Sequence, residues 1–577
     1  MTAPIRTDAW STACPDWEDR LLNGRSMIPD LPLFDPVADK ALRLFKRLRV
    51  PDMIGLPTYG EVCDEWVFDL VRAVFGSYDP VSRRRMIREF FVMIPKKNAK
   101  SAIGAAIIVV AAIMNERPDG ELILISETQN IAGIAFRQAV GIIDADPNLA
   151  ALFKPNAHLK QIEHRNNGTL IRILSADVKI ATGSKAGFIL VDESHVLGHQ
   201  SKAADVYLEL EGGLAARPEG FLLEITTQSK VQPHGEFKRR LDRARAVRDG
   251  SLALPILAVL YELPAEMQLE GAWKDEATWG LVNPNLERSV ALDYLRDKFL
   301  AASTAGPDAM ALFASQHLNV EIGVGMRADS WIGATLWAAA AAPERLSGYA
   351  ALEALIARAE VATVGIDGGG LDDLLGLCVM GRDRETKDWW AWFRAWAQPE
   401  VLERRKEIAP LLHTFEADGD LTILPPDRPD GDVEEIAEIV GRLLDAGLLP
   451  EKAAAGLDPA GVAAIVDALD EVGIGEGQMV AIPQGYRLSP AIWGMERALK
   501  SRKVRHFGQP MMDWVLGNAK TEQRGSAVVV TKEAAGKAKI DPLVAGFNAF
   551  QLMARNPAAH VTGRIDDYFA AMRGAAA

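Results

Sequence analysis

Cysteine is scarce: Cys14, Cys63 and Cys378 are the only three in 577 residues. They lie too far apart for a disulfide framework or a cysteine-based zinc site, and they suit a reducing cytoplasm. Long apolar runs are missing too. The most apolar stretch, Ser101 to Asn115, is too short to span a bilayer and is flanked by Lys100 and Glu116. It reads as a buried helix, and no membrane partner is expected. The first 30 residues hold Asp8, Asp16, Glu18 and Asp19 and no apolar segment of signal type, so no leader is expected. Fixed-period repeats and low-complexity tracts are absent. Positive charge is in deficit, with 64 Lys and Arg against 78 Asp and Glu, a net of −14. That balance excludes a protein that coats nucleic acid through its overall charge.

What is present is ordinary globular composition, 49% hydrophobic and 25% charged. The length suggests about two to four domains. Charge is unevenly spread: net −5 over residues 1–350, −14 over 351–500 and +5 over 501–577. Two basic runs stand out. One holds Arg83, Arg84, Arg85, Arg88, Lys96, Lys97 and Lys100; the other holds Lys230, Lys238, Arg239, Arg240, Arg243, Arg245 and Arg248. A solvated helix face explains either run on charge alone. The halves divide near residues 323–352, where GVGM, an alanine run and Pro343 follow one another. Trp331 and Trp337 there suit a short helix packed on one domain. The expected division is an N-terminal extension 1–50, a first domain 51–335, a linker 336–352 and a second domain 353–577.

The first half alternates strands with helices, an α/β pattern with a mostly parallel sheet. Phe90 to Ile94 is a short apolar run, the turn-prone PKKNA follows, and then the long apolar helix starts. This is the strand–loop–helix order of a phosphate-binding loop. Lys96, Lys97, Asn98 and Ala99 would line it, Lys100 would reach the β- and γ-phosphates of ATP, and the Ser101 hydroxyl would sit on Mg²⁺. Ile94 and Ala99 occupy the two usual glycine positions, and Ala99 forfeits the easy positive φ of glycine. Alone, the loop is as well explained by a basic turn before a core helix. A second element shifts the balance. The apolar strand Phe188 to Val191 ends in Asp192 and Glu193. Adjacent carboxylates at a strand end suit coordination of Mg²⁺ water (Asp192) and polarisation of an attacking water (Glu193). Strands at Glu121 to Thr128 and Gly220 to Ser229 also end in small polar residues. Thr226, Thr227 and Gln228 could sense the γ-phosphate, although ordinary loop hydroxyls and amides explain them equally well.

In the second half, Val361 to Ile366 and Leu374 to Met380 read as a β-hairpin around Gly368, Gly369 and Gly370. Asp367 ends the first strand and Asp373 opens the second. Asp458 and Asp541 each precede a proline and an apolar helix, where a capping role is the simple explanation. Taken together, Asp367, Asp458 and Asp541 could hold hard divalent cations, two of which about 4 Å apart clamp a phosphodiester. Spacing does not assign them to one site.

Motif order does more. IPKKNAKS, ISETQNIA, ILVDESHVL, ITTQS, QHLNVEIG, GIDGGGLDDLLGL, GLDPAG, the run IPQGYRLSPAIWGMERALKSRKVRHFGQPMMDWVLGNA and KIDPLVAGFNAF follow one another between about residues 50 and 560. In this order they resemble the large terminase subunit of tailed bacteriophages. The resemblance implies an ASCE-type P-loop ATPase domain followed by an RNase H-like nuclease domain. It implies an enzyme that hydrolyses ATP to drive double-stranded DNA into a procapsid and cuts concatemeric DNA with Mg²⁺ or Mn²⁺, two ions being expected. By position, Lys100 and Ser101 carry the phosphate and Mg²⁺ roles, Asp192 holds metal water, Glu193 is catalytic and Thr226–Gln228 couple hydrolysis to movement. Asp367, Asp458 and Asp541 match the nuclease ligands, with Asp373 a weaker fourth. The implied partners are double-stranded DNA, a portal protein, a small terminase subunit and further copies in a pentameric ring, the free subunit being compatible with a monomer. The implied place of action is the host bacterial cytoplasm. Lys96 and Lys97 stand where many relatives carry arginine, and Val67, beside Trp66, stands where an adenine-reading glutamine is frequent. Arg137, Arg239 and Arg240 are candidates for an arginine finger acting in trans. A helicase-like remodeller whose second domain only binds DNA, and a non-enzymatic assembly scaffold, are the rival classes. The two basic runs and the +5 terminal region are the expected phosphate contacts.

Overall fold

The computed structural model describes residues 10–126, 128–175, 186–200, 202–322, 331–370, 372–406, 408–459, 463–525, 527–532 and 539–558. It forms two compact units, Met1–Ile322 and Gly323–Ala577. In the first, β1 (Tyr78–Asp79) and β2 (Arg84–Arg85) make a small hairpin. The main sheet has eight strands: β3 (Glu89–Met93), β4 (Glu121–Ser126), β5 (Phe153–Asn156), β6 (Gln161–His164), β7 (Leu170–Ser175), β8 (Ala186–Asp192), β9 (Phe221–Thr226) and β10 (Ile256–Leu260). Their spatial order is β10-β3-β9-β8-β4-β7-β6-β5. The run from β10 to β7 is parallel, and β6 and β5 close one edge antiparallel. Parallel strands are covered on both faces and therefore read as unbroken apolar runs; every residue of β8 is buried. The helices that matter here are α1 (Glu65–Gly76), α2 (Lys100–Met114), α3 (Gly235–Arg248) and α4 (Pro307–Leu318). The apolar run after Lys100 is indeed a buried helix, packed with Phe90, Leu122, Leu190 and Leu223 in the main core.

Residues 10–50 are part of this unit rather than an appended extension, because Trp10, Cys14, Trp17 and Phe45 join the same core. The basic runs also differ from expectation. Arg240, 3% exposed, lies among Glu89, Glu211 and Glu224, while Arg245 and Arg248 both bond Glu262. Arg85 is buried and donates to the Val74 carbonyl and to Ser77. Much of the positive charge in both runs is thus spent on internal carboxylates and carbonyls; Arg83 and Arg84 remain exposed.

The second unit contains β11 (Ala359–Gly368), β12 (Leu374–Asp383), β13 (Trp389–Ala397), β14 (Leu421–Ile423), β15 (Ala455–Leu457), β16 (Met479–Ala481) and β17 (Val504–His506), with a separate hairpin of β18 (Ala519–Arg524) and β19 (Ala527–Lys532). The order is β14-β13-β12-β11-β15-β16, and β17 also pairs with β13. The long strands β11, β12 and β13 are antiparallel, and the short ones join parallel. The expected glycine hairpin is therefore present. The helices that matter here are α5 (Ile332–Ala340), α6 (Ser489–Lys500) and α7 (Asp541–Met553). Both units are thus α/β, as expected.

The expected boundary shifts. Trp331 and Trp337 are buried in the second unit, with Trp331 5.2 Å from the Phe547 ring and Trp337 stacked 4.0 Å from His506. Residues 336–352 are not a linker. Ala342 and Leu346 donate to the carbonyls of His506 and Phe507, and Ala351 and Leu352 enter a core cluster. Two tryptophans supply enough apolar area to hold this segment to the sheet it precedes. GVGM lies outside the described residues.

Candidate functional site

The C-terminal ends of β3, β8 and β9 meet at the loop before α2. Such strand ends are where open α/β sheets hold ligands. Ala99, with φ +58°, is the N-cap of α2, and Lys97 also has positive φ, +73°. The alanine thus takes the left-handed backbone that glycine would take without strain, which costs about 1 kcal/mol or more. The loop is clamped from outside. Asn98 is fully buried, and its side chain donates to Asn283 Oδ1 at 2.8 Å and accepts from the Asn285 amide at 3.1 Å. Asn285 Nδ2 donates to the Asn98 carbonyl at 3.0 Å, and Ser289 Oγ to that of Lys97 at 2.7 Å. Trp66, on α1, donates to Asn285 Oδ1 at 2.9 Å. Sequence reasoning missed Asn283, Asn285 and Ser289, since a short polar segment nearly 200 residues away gives no spacing signal.

Lys100 is 7% exposed, bonds the Pro95 carbonyl at 3.3 Å and lies 4.0 Å from Glu193 Oε1. Burial pushes its ammonium below the usual lysine range against the pull of Glu193 and Asp192. Asp192 is 2% exposed, and neither carboxylate oxygen has a hydrogen-bond partner. Burial, and then the Glu193 charge, push its carboxyl up to about 6, opposed by Ser101 and Lys100. For Glu193, burial acts upward, but Lys100 and His195 outweigh it and hold the carboxyl at about 2. Glu193 itself has a left-handed backbone, φ +54°.

The register sets Asp192 opposite Ile225, so Glu193 and Thr226 emerge side by side. Thr226, Thr227 and Gln228 are all buried. The Gln228 amide donates to Asn319 Oδ1 at 3.0 Å, and its carbonyl accepts from Gln316 Nε2 at 2.8 Å, which ties this segment to the end of α4. Ser126 Oγ, both Asp192 oxygens, Ser194 Oγ, Thr227 Oγ1 and Gln228 Nε2 are buried without partners. Buried polar atoms are normally satisfied. A cluster of orphans at these strand ends fits a hydrated Mg²⁺–nucleotide, whose phosphate oxygens and waters would satisfy them. Of the finger candidates, Arg240 is enclosed by carboxylates and cannot reach out in trans, whereas Arg137 and Arg239 are exposed.

In the second unit Ile366 pairs with Leu457 on the parallel neighbour. Asp367 and Asp458, each one residue further on, therefore leave the same sheet end. Asp541 is the first residue of α7, whose cap is Ile540, so Asp541 does not itself cap. A side chain on Gly368 would come 3.2 Å from Asp541 Cβ, which puts Asp541 at that same end. Asn548 of α7 donates to the Ile366 carbonyl at 2.9 Å and fixes the helix there. Asp458 follows directly on β15. Asp373 forms a 2.8 Å ion pair with the buried Lys539, which the sequence did not single out. The three backbones thus converge, and carboxylates are the right donors for a hard cation. Yet among the described residues no group of three or more His, Cys, Asp or Glu side chains is disposed to hold a metal ion.

Among the described residues no helix is long and apolar enough to cross a membrane. The family model for the terminase large subunit, ATPase domain, matches residues 65–244. No curated protein sequence matches significantly. Among solved structures, the HK97 bacteriophage large terminase is 18% identical with a TM-score of 0.45, over 89% of this chain and 99% of that one. The large terminase ATPase domain of Thermus phage P74-26 is 14% identical with a TM-score of 0.29, over 45% and 98%. The large terminase nuclease of thermophilic phage G20c is 14% identical with a TM-score of 0.22, over 33% and 81%. Those three likenesses are too distant to bear on activity. Residues 65–244, which hold Lys100, Ser101, Asp192, Glu193 and the Thr226–Gln228 segment, carry the ATPase domain of the terminase large-subunit family.

Proposed function

We propose that this chain is the ATP-hydrolysing motor of a DNA-packaging terminase, moving double-stranded DNA, and that its second unit cleaves that DNA. One observation carries the motor reading: Lys100, Ser101, Asp192 and Glu193 stand together at the strand ends among orphaned buried polar atoms. The amino end of α2 and Lys100 hold the phosphates. Ser101 and Asp192 are the residues that would hold Mg²⁺, which supplies charge neutralisation at the phosphates when bound. Burial of Asp192 beside the Glu193 charge is costly to a carboxylate and is relieved by a cation. Glu193 orients the attacking water and accepts its proton. Lys100 cannot serve Glu193 and a phosphate equally, so nucleotide draws it away and raises the basicity of Glu193. Movement passes to Thr226–Gln228 and through Gln316 and Asn319 to α4. The test is ATP turnover by the full chain with duplex DNA. Glu193→Gln should bind nucleotide and turn over less than about 1% as fast, and Lys100→Ala should lose binding; wild-type turnover by Glu193→Gln would sink the motor reading.

Support for the nuclease is the common sheet end of Asp367, Asp458 and Asp541. The rival reading is that the second unit binds DNA without cutting it. Plasmid digestion by the full chain with Mn²⁺ separates them. Cleavage that disappears in Asp367→Ala supports the nuclease, and no cleavage by the parent supports the rival. We further propose that the packaging partners are a portal, a small subunit and further copies of this chain in a ring, with the work done in the bacterial cytoplasm.

A further inference from the structure

His195 follows the catalytic pair by two residues and is 3% exposed. Its ring joins the two halves of the nucleotide site. Nδ1 lies 3.1 Å from Thr226 Oγ1 and 3.3 Å from Glu193 Oε2. Its backbone amide also donates to Thr226 Oγ1 at 3.1 Å. Thr226 Oγ1 in turn donates to the Thr227 carbonyl at 2.9 Å. A hydroxyl has one proton, and that proton is used on Thr227. The Nδ1 contact therefore requires the proton to sit on Nδ1. One N–H then faces two acceptors, the threonine oxygen and the catalytic carboxylate. In the observed arrangement it bonds Thr226, and the Glu193 contact is slightly longer. The other ring nitrogen, Nε2, is buried and has no partner, so no second hydrogen bond fixes the ring.

We infer that His195 is a positioning residue that exchanges one N–H between Glu193 and Thr226, and so links the state of the catalytic carboxylate to the segment that moves. When Glu193 turns toward the attacking water it releases the N–H to Thr226. When it turns back it competes for that proton, and Thr226 Oγ1 is left with the His195 backbone amide alone as donor. The register of β8 and β9 makes this possible, because Glu193 and Thr226 leave neighbouring strands at the same level. Van der Waals contact with Phe237, whose ring centre is 6.1 Å from that of His195, keeps the imidazole between the two strand ends. The inference rests on the ATPase reading above and adds a residue that contacts Glu193 and Thr226.

The test uses the full chain, with ATP turnover measured with and without duplex DNA and nucleotide affinity measured separately with a fluorescent ATP analogue. His195→Ala should lower kcat about 10- to 100-fold, the range of a small misplacement of a reacting group, with affinity within about twofold of the parent. His195→Asn, whose amide can place a donor near Nδ1, should recover much of the rate. Thr226→Val should lose DNA stimulation, and the His195→Ala/Thr226→Val double variant should be no worse than the poorer single one. Parent-like kcat in His195→Ala overturns the inference. So does a collapse of nucleotide affinity in both His195 variants, which marks a structural role, and so do additive losses in the double variant. A parent chain that turns over no ATP at all, with or without DNA, fails the ATPase reading itself and takes the inference with it.

Discussion

Ala99 concentrates the question of how a phosphate loop works without its glycine. Its backbone is left-handed although its side chain disfavours that region, and the surrounding asparagine clamp holds it there. Ala99→Gly should therefore keep the loop and raise stability by up to about 1 kcal/mol. Ala99→Val, β-branched at positive φ, should lower it by about 1–2 kcal/mol and weaken nucleotide binding. Chemical unfolding of the first unit's transition checks both, and a stabilised valine variant would contradict the strain argument. Lys100, Ser101, Asp192 and Glu193 were legible in the sequence because two short motifs name them. His195 and the clamp were not, because a role set by a 3 Å contact leaves no periodic trace.

At the scale of elements, α3 is held by ion pairs that its sequence does not reveal. Glu262 is 3% exposed and bonds Arg245 at 2.6 Å and Arg248 at 2.8 Å. Burial pushes its carboxyl up, but the two guanidinium groups prevail and hold it below the usual glutamate range. Its stabilisation is therefore complete above the unfolded value, near 4.5, and is lost as pH falls through the lower folded value. Glu262→Gln should lower stability by about 3 kcal/mol at pH 7, because Arg245 and Arg248 lose their shared buried carboxylate and keep only Glu321 and Asp249. The gap to the parent should narrow as acid protonates Glu262, which unfolding curves at neutral and acid pH will show; a pH-independent gap would refute the assignment. In the second unit α7 lies directly on β11. A side chain on Gly365 would collide with the Ala545 carbonyl oxygen and the Ala549 amide nitrogen. Gly365→Ala should destabilise that unit by about 3 kcal/mol and shift Asp541 away from Asp367, which differential unfolding of the two units would detect.

Over the whole molecule, the distribution of charge in the sequence differs from that on the surface. The run at 230–248 looked like a DNA contact and is largely an internal ion network. By contrast Arg487, Arg497, Lys500 and Arg502 are exposed and form no ion pair among the described residues. The first of them borders α6, and Tyr486 and Trp493 are exposed beside them at 59% and 44%. On the proposed function these cations meet DNA phosphates. Replacing all four with glutamine should weaken duplex binding and flatten its salt dependence by about 1 log unit per lost contact. The same change at Arg240 and Arg245 should unfold the first unit instead. Filter-binding titrations over a salt series distinguish the two outcomes.

The sequence by itself determined the α/β class, the apolar strands, the buried helix after Lys100, the glycine hairpin and the order of the acidic and basic motifs. Each is local: a parallel strand must be apolar on both faces, and a tight turn needs its glycines. Only the tertiary structure decided which arginines are internal, that residues 331–352 belong to the second unit, that Asp367, Asp458 and Asp541 share one sheet end, and that His195 lies between Glu193 and Thr226. Those facts depend on strand register and on contacts between residues far apart in the chain. Short-range pattern carries no information about either, because the same arginine is solvated or buried according to which carboxylates the fold brings to it.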